Sequence, residues 1–99
     1  MSSPTAKLKV LSESMDADDI TEIRALITAG ADVNVRNKYD VTPLFTASCY
    51  GHIEIVKLLL ANKANVNFAL TDGRTSLFVA SQTGHKRIVE LLKQHGAKN

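Results

Sequence analysis

Apolar positions in this chain follow two spacings at once, a helical one within short segments and a longer one that returns every 33 residues. Ile53, Val56, Leu59 and Leu60 recur as on one face of a helix, which predicts a helix over roughly 53–62. At the longer spacing Leu11, Leu44 and Leu77 fall in register, then Ile23, Val56 and Val89, then Leu26, Leu59 and Leu92. The polar punctuation repeats with them. Thr42-Pro43-Leu44-Phe45-Thr46-Ala47-Ser48 with Gly51-His52 is echoed by Thr75-Ser76-Leu77-Phe78-Val79-Ala80-Ser81 with Gly84-His85. A supersecondary unit repeated in this way stacks on its copies, and a stack offers surfaces more readily than enclosed pockets.

Local chemistry refines the elements. Thr42 is a good N-cap and Pro43 stands at the first helical position, so a short helix is predicted over 43–50, ended by Gly51-His52. The third copy predicts helices near 76–83 and 86–95 with a stop at Gly96. Between the copies, Phe68 to Arg74 has no helical period but carries Asp72-Gly73, which predicts a hairpin-like finger. The first copy is degenerate: Lys9 replaces the threonine and Asp18-Asp19 replaces Gly-His. Asp19 and Glu22 read as a capping box for a helix over about 20–29, closed by Gly30. Asn99 stands where Val33 and Val66 stood, a polar residue at a position that is apolar in the earlier copies, as expected of a complete short stack.

The segments Asp72-Gly73-Arg74-Thr75-Ser76-Leu77, Gly51-His52-Ile53-Glu54-Ile55-Val56-Lys57-Leu58-Leu59 and Gly30-Ala31-Asp32-Val33-Asn34 resemble the ankyrin repeat. The resemblance implies an all-α solenoid of helix-turn-helix units joined by hairpin-like fingers, a single domain over 1–99 with repeats at about 6–34, 35–67 and 68–99. Four residues depart from the family pattern. Phe45 and Phe78 stand where the family carries a histidine that bonds across repeats, so apolar packing is expected to replace those polar ties. Lys63 stands at the glycine that ends the second helix, a left-handed site that strains a residue bearing a side chain, and Asp40 replaces the finger-tip glycine with less strain.

Composition narrows the function classes. Twelve Lys/Arg against ten Asp/Glu give a net charge of +2, no case for wholesale attraction to nucleic acid or membrane. The charge is graded: three basic against six acidic residues over 1–33, four against two over 34–66, five against two over 67–99. Cys49 is the single cysteine, so no internal disulfide forms and a reducing, intracellular setting is expected. The first residues lack an apolar signal core, and no apolar run approaches a membrane span.

Candidate chemistry adds little. Cys49 and His52 are spaced like a nucleophile and its base, but His52 and His85 share one repeat position and are explained by the turn between helices. His52, His85 and His95 have no spacing that gathers a zinc ion, and the acidic run Asp16 to Glu22 lacks the glycine and terminal glutamate of a calcium loop. No phosphate loop, nucleophile elbow or metalloprotease motif occurs, so no enzyme, cofactor, metal or small-molecule substrate is expected. Leu26, Asp32, Val33 and Asn34 resemble the setting in which ankyrin asparagines become β-hydroxylated, while Asn67 lacks the matching acid, having Asn65; an amide bonded to the finger backbone accounts for both asparagines.

The resemblance also implies where a partner protein docks: the finger tips and the exposed side of the first helices. Carried over by position, these are Arg36, Lys38, Tyr39 and Val41 on the first finger, and Ala69, Thr71, Asp72 and Arg74 on the second. The helices add Asp16, Ala17, Cys49, Tyr50, Gln82 and Thr83. Tyr39, Tyr50, Arg36 and Arg74 are the expected anchors, since Tyr and Arg combine contact area with directional hydrogen bonds. The expected function is a monomeric adaptor or inhibitor binding another protein. The alternative is a regulatory or nucleic-acid-associated factor that uses the basic C-terminal half.

Overall fold

In a computed structural model, which describes residues 3–98, helices follow one another in antiparallel pairs. They are α1 (Pro4–Leu11), α2 (Ile20–Thr28), α3 (Pro43–Tyr50), α4 (Ile53–Ala61), α5 (Ser76–Gln82) and α6 (Lys86–Gln94), with a 3-10 turn at Ala17–Asp19. α3 packs on α4 and α5 on α6 within pairs, while α3 against α5 and α4 against α6 join the pairs. Asn99, read above as a polar end, lies outside the described residues. Among the described residues no helix is long and apolar enough to cross a membrane.

The predicted starts and stops of the central and third pairs hold. Thr42 and Thr75 each accept a backbone N–H through the side-chain oxygen, from Phe45 and Phe78, both at 3.1 Å. Gly51 and Gly84 turn the chain between paired helices at φ 76° and 78°. Gly51 meets a second demand, because a Cβ there would come within 2.6 Å of the His85 ring of the next repeat.

The apolar skeleton forms one continuous core, running from Leu8 through Ile23, Leu44, Val56, Leu59 and Leu77 to Leu92. A smaller cluster of Phe45, Leu70 and Val79, with Val41 and Cys49 against it, sits beneath the fingers. Of the two phenylalanines expected to pack between repeats, Phe45 does so, whereas Phe78 is 47% exposed on the outer side of the third repeat.

Polar ties between repeats are present nonetheless, at other positions. The His52 ring nitrogen Nε2 lies 3.1 Å from the Met15 carbonyl, and His85 Nε2 lies 3.2 Å from that of Cys49. Asn34 Oδ1 accepts the N–H of Asn65 at 2.7 Å while its Nδ2 donates to the Lys63 carbonyl at 3.4 Å. Asn67 repeats the clamp, accepting from Lys98 N at 3.0 Å and donating to the Gly96 carbonyl at 3.3 Å. These amides thus reach the following repeat rather than their own finger.

The first repeat departs most from expectation. The register placed Leu11 in the core, but the fully buried leucine is Leu8, and Leu11 is half-buried. α1 starts at an unforeseen cap, Ser3 with Pro4, where Ser3 Oγ accepts Ala6 N–H at 3.0 Å. It also ends early. With Asp18-Asp19 in place of Gly-His no left-handed glycine is available for a tight corner, so the chain crosses to α2 through a longer link over 12–19. The capping box is shifted as well: Asp19 Oδ2 accepts the N–H of Asp16 at 2.9 Å, and Asp19 is already helical at φ −70°.

Asp40 and Lys63 are the two residues other than glycine with positive φ among those described, at 65° and 69°. The Asn34 amide that holds the Lys63 carbonyl helps to keep the lysine in this strained region. Ser48 carries a different burden, since its hydroxyl is fully buried with no hydrogen-bond partner among the described residues.

Three stability changes are expected. Lys63→Gly relieves left-handed strain and stabilises by about 1 kcal/mol, a rise in Tm of roughly 4–8 °C by calorimetry. Ser48→Ala removes the orphaned hydroxyl and raises the urea midpoint, equivalent to about 1 kcal/mol. Asn34→Ala breaks both arms of a clamp and lowers stability by about 1–2 kcal/mol in the same titration.

Candidate functional site

An open groove of about 680 Å³ lies between α1, the first finger and α3. Lys9, Ser12 and Glu13 form one wall, Asn37 to Val41 supply the finger side, and Phe45, Thr46, Cys49 and Tyr50 come from α3. Its base is tied together: Ser12 Oγ donates to the Leu8 carbonyl at 2.8 Å, and Thr46 Oγ1 donates to the Ser12 carbonyl at 2.6 Å. The α1 wall is thereby fixed to α3.

The first finger owes its form to Asn37. Its side-chain oxygen accepts the N–H groups of Tyr39 and Val41 at 2.8 and 3.1 Å, and its own N–H donates to the Val41 carbonyl at 3.1 Å. This turn chemistry leaves the Tyr39 ring 57% exposed, with the Lys38 ammonium 5.1 Å from its centre. Tyr50, one helical turn beyond Thr46, is 53% exposed and meets the His52 ring edge-on at 5.9 Å.

The second finger is a narrow hairpin. Leu70 N–H donates to the Arg74 carbonyl at 2.8 Å, and Ala69 and Thr75 form an antiparallel bridge. The fingers touch where Thr71 N–H donates to the Tyr39 carbonyl at 3.4 Å. Asp72 accepts the Arg74 N–H at 3.0 Å and its guanidinium at 2.9 Å, and these bonds hold its carboxyl below the usual range despite some desolvation.

Of the positions singled out from sequence, Lys38, Tyr39, Val41, Cys49 and Tyr50 come together on the groove. Ala69, Thr71, Asp72 and Arg74 stay on the second finger, and Gln82 and Thr83 are exposed at the end of α5. Thr83 closes that helix by donating to the Val79 carbonyl at 2.7 Å. Asp16 and Ala17 belong to the link before α2, away from the groove lining. Cys49, expected on an exposed part of its helix, is half-buried against the Phe45 cluster.

The two arginines expected as anchors have partners within the chain. Arg36 lies over the Phe68 ring at 4.5 Å and 3.9 Å from the Asp40 carboxylate. Arg74 pairs with Asp72 and sits 5.6 Å from the Phe45 ring centre. They brace the fingers. Sequence reasoning missed Lys9, Ser12 and Glu13 because the repeat register put α1 in the wrong place, and missed Asn37 because its role lies in a turn. Phe45, expected to pack between repeats, does so and also lines the groove, as does its neighbour Thr46.

Neither imidazole of the Gly-His corners bonds the Cys49 thiol, since both rings are directed at backbone carbonyls. Among the described residues no group of three or more His, Cys, Asp and Glu is placed to hold a metal ion.

A family model described as ankyrin repeats, in three copies, matches residues 12–99. An ankyrin repeat-containing protein of Saccharomyces cerevisiae is 48% identical over 42 residues, which is 42% of this chain and 8% of that protein. A putative ankyrin repeat protein of fowlpox virus is 51% identical over 39 residues, 39% of this chain and 15% of that one. The mitochondrial disaggregase of Bos taurus is 36% identical over 59 residues, 60% of this chain and 9% of its own length. The matches thus cover no more than 15% of any of these relatives. With helix pairs stacked in register, glycine corners and fingers between them, and the family match across residues 12–99, this chain belongs to the ankyrin-repeat family.

Proposed function

We propose that this chain is a non-catalytic interaction module, an adaptor or inhibitor that takes one partner protein across the groove and the finger tips. Ankyrin repeats generally mediate protein–protein contact, which sets the class. One observation carries the finer reading: Tyr39 and Tyr50, on different elements, are both more than half exposed and both line the same groove, together with the apolar Phe45 and Val41. Neither tyrosine belongs to the buried core, so folding does not account for them. Exposed aromatics that flank a concave apolar surface are the side chains from which interfaces draw most of their affinity.

In this reading Lys38, Val41 and Cys49 contribute contact around the two anchors. Ala69, Thr71, Asp72, Arg74, Gln82 and Thr83 extend the surface toward the third repeat, and Arg36 keeps the first finger upright. The three repeats act as one unit, monomeric and within a reducing compartment, with no substrate to transform.

The test is affinity purification of the partner from the native cell with wild-type protein and with a Tyr39→Ala/Tyr50→Ala variant. Far-UV circular dichroism and Tm should be unchanged, and affinity should fall roughly tenfold or more. Full binding by the variant overturns this docking face. A salt titration run on wild type beside the tyrosine variant checks the surface, because capture through the basic C-terminal half would weaken steeply with ionic strength and would do so equally in both proteins.

A further inference from the structure

The polar groups around the groove are unequally engaged. Lys9 on α1 and Lys38 on the first finger face it from different elements, and Glu13 is the single carboxylate on its walls. None of these three takes part in the ion pairs among the described residues, which join Arg36 to Asp40, Lys57 to Glu54 and Arg74 to Asp72. The two finger carboxylates, Asp40 and Asp72, are therefore already matched by arginine, and Lys38, whose ammonium lies over the Tyr39 ring, has no carboxylate among the ion pairs of the described residues.

The uncharged groups offer both kinds of hydrogen-bond partner. The hydroxyl protons of Ser12 and Thr46 are directed inward at carbonyls, which leaves their oxygens as acceptors, whereas the Asn37 side-chain oxygen is occupied by two backbone N–H groups. What Asn37 retains for a ligand is its amide donor, and the two tyrosines add hydroxyls that can donate. The groove thus presents an apolar floor under a rim with more positive than negative charge.

We propose that the groove selects a peptide segment in which an apolar side chain is flanked by carboxylates. The apolar group seats on Phe45 and Val41 between the tyrosines, and the carboxylates meet Lys9 and Lys38. This deepens the docking function proposed above and rests on it. A basic segment would place its charge beside two lysines with one carboxylate to answer it, and a purely apolar one would leave both ammonium groups without a partner.

The experiment is a selection of random short peptides displayed on phage, run against the whole chain, with the enriched sequences then resynthesised with a fluorescent label. Binding is measured by anisotropy to wild type, to Lys9→Glu/Lys38→Glu and to Tyr39→Ala/Tyr50→Ala; all four side chains lie outside the buried core, so each variant folds. The expected result is enrichment of Asp or Glu beside Leu- or Phe-like residues, with affinity lost by about tenfold or more in the charge-reversed variant as well as in the tyrosine variant. Peptides that need the tyrosines but are neutral or basic, or that ignore the charge reversal, overturn the acidic preference and leave the docking function standing. If no enriched peptide depends on the tyrosines, both fall.

Discussion

Each helix pair in this chain has a face that only its neighbour can cover, and the rest of the structure follows from how closely neighbours can approach. The glycine at 51 sets that distance on one side. It turns the chain at a left-handed φ of 76° and leaves room for the His85 ring, which a Cβ would meet at 2.6 Å. The same ring reaches the Cys49 carbonyl, so the residue that tests the spacing also locks it. On the opposite side Asn34 and Asn67 clamp the backbone of the following repeat from both a carbonyl and an N–H. The apolar core supplies the larger share of the stabilisation, while these bonds fix register, as directional contacts do in a stack whose neighbours could otherwise slide.

Where the 33-residue echo is intact, its physical causes are local and were legible. Threonine caps, a proline at the first helical position, glycine corners and helical apolar spacing need no tertiary information, so α3 to α6 and the second finger fall where those signals put them. The strained φ of Asp40 and Lys63 was legible for a similar reason, because a repeat tells which position must be left-handed even when the residue is unsuited to it. The first repeat was less legible. Its register was extrapolated across a copy without the glycine corner, and without that corner α1 closes early on Ser12 and slides toward the N-terminus, bringing Leu8 rather than Leu11 inside.

Side-chain destinations were read less well than backbone positions. That Asn34 and Asn67 would bond forward to the next repeat, and that His52 and His85 would bond back to the preceding one, depends on distances between turns far apart in sequence. The arginines make the same point. Arg36 and Arg74 occupy variable, exposed positions suited to a partner, but each finger also places an acid and an aromatic ring within reach, and those partners are always present. Tyr39 and Tyr50 meet only Lys38 and the edge of His52 and stay more than half exposed, with no ion pair such as holds each arginine.

The misjudged first repeat and the candidate site are connected. α5 packs closely against α3, whereas α1 touches α3 far less. That difference follows from the early end of α1. Ser12 is tied to α3 through its carbonyl, while Lys9 on the last turn of α1 and Glu13 on the link border the open space that Tyr39 and Tyr50 bound from the other elements. Restoring a Gly-His corner at residues 18 and 19 would favour a tighter turn and draw α1 toward the position that α3 holds against α5, which narrows the groove even as it regularises the stack. The least regular part of the sequence, where Asp18-Asp19 stands in place of Gly-His, thus supplies one wall of the groove that holds Tyr39 and Tyr50.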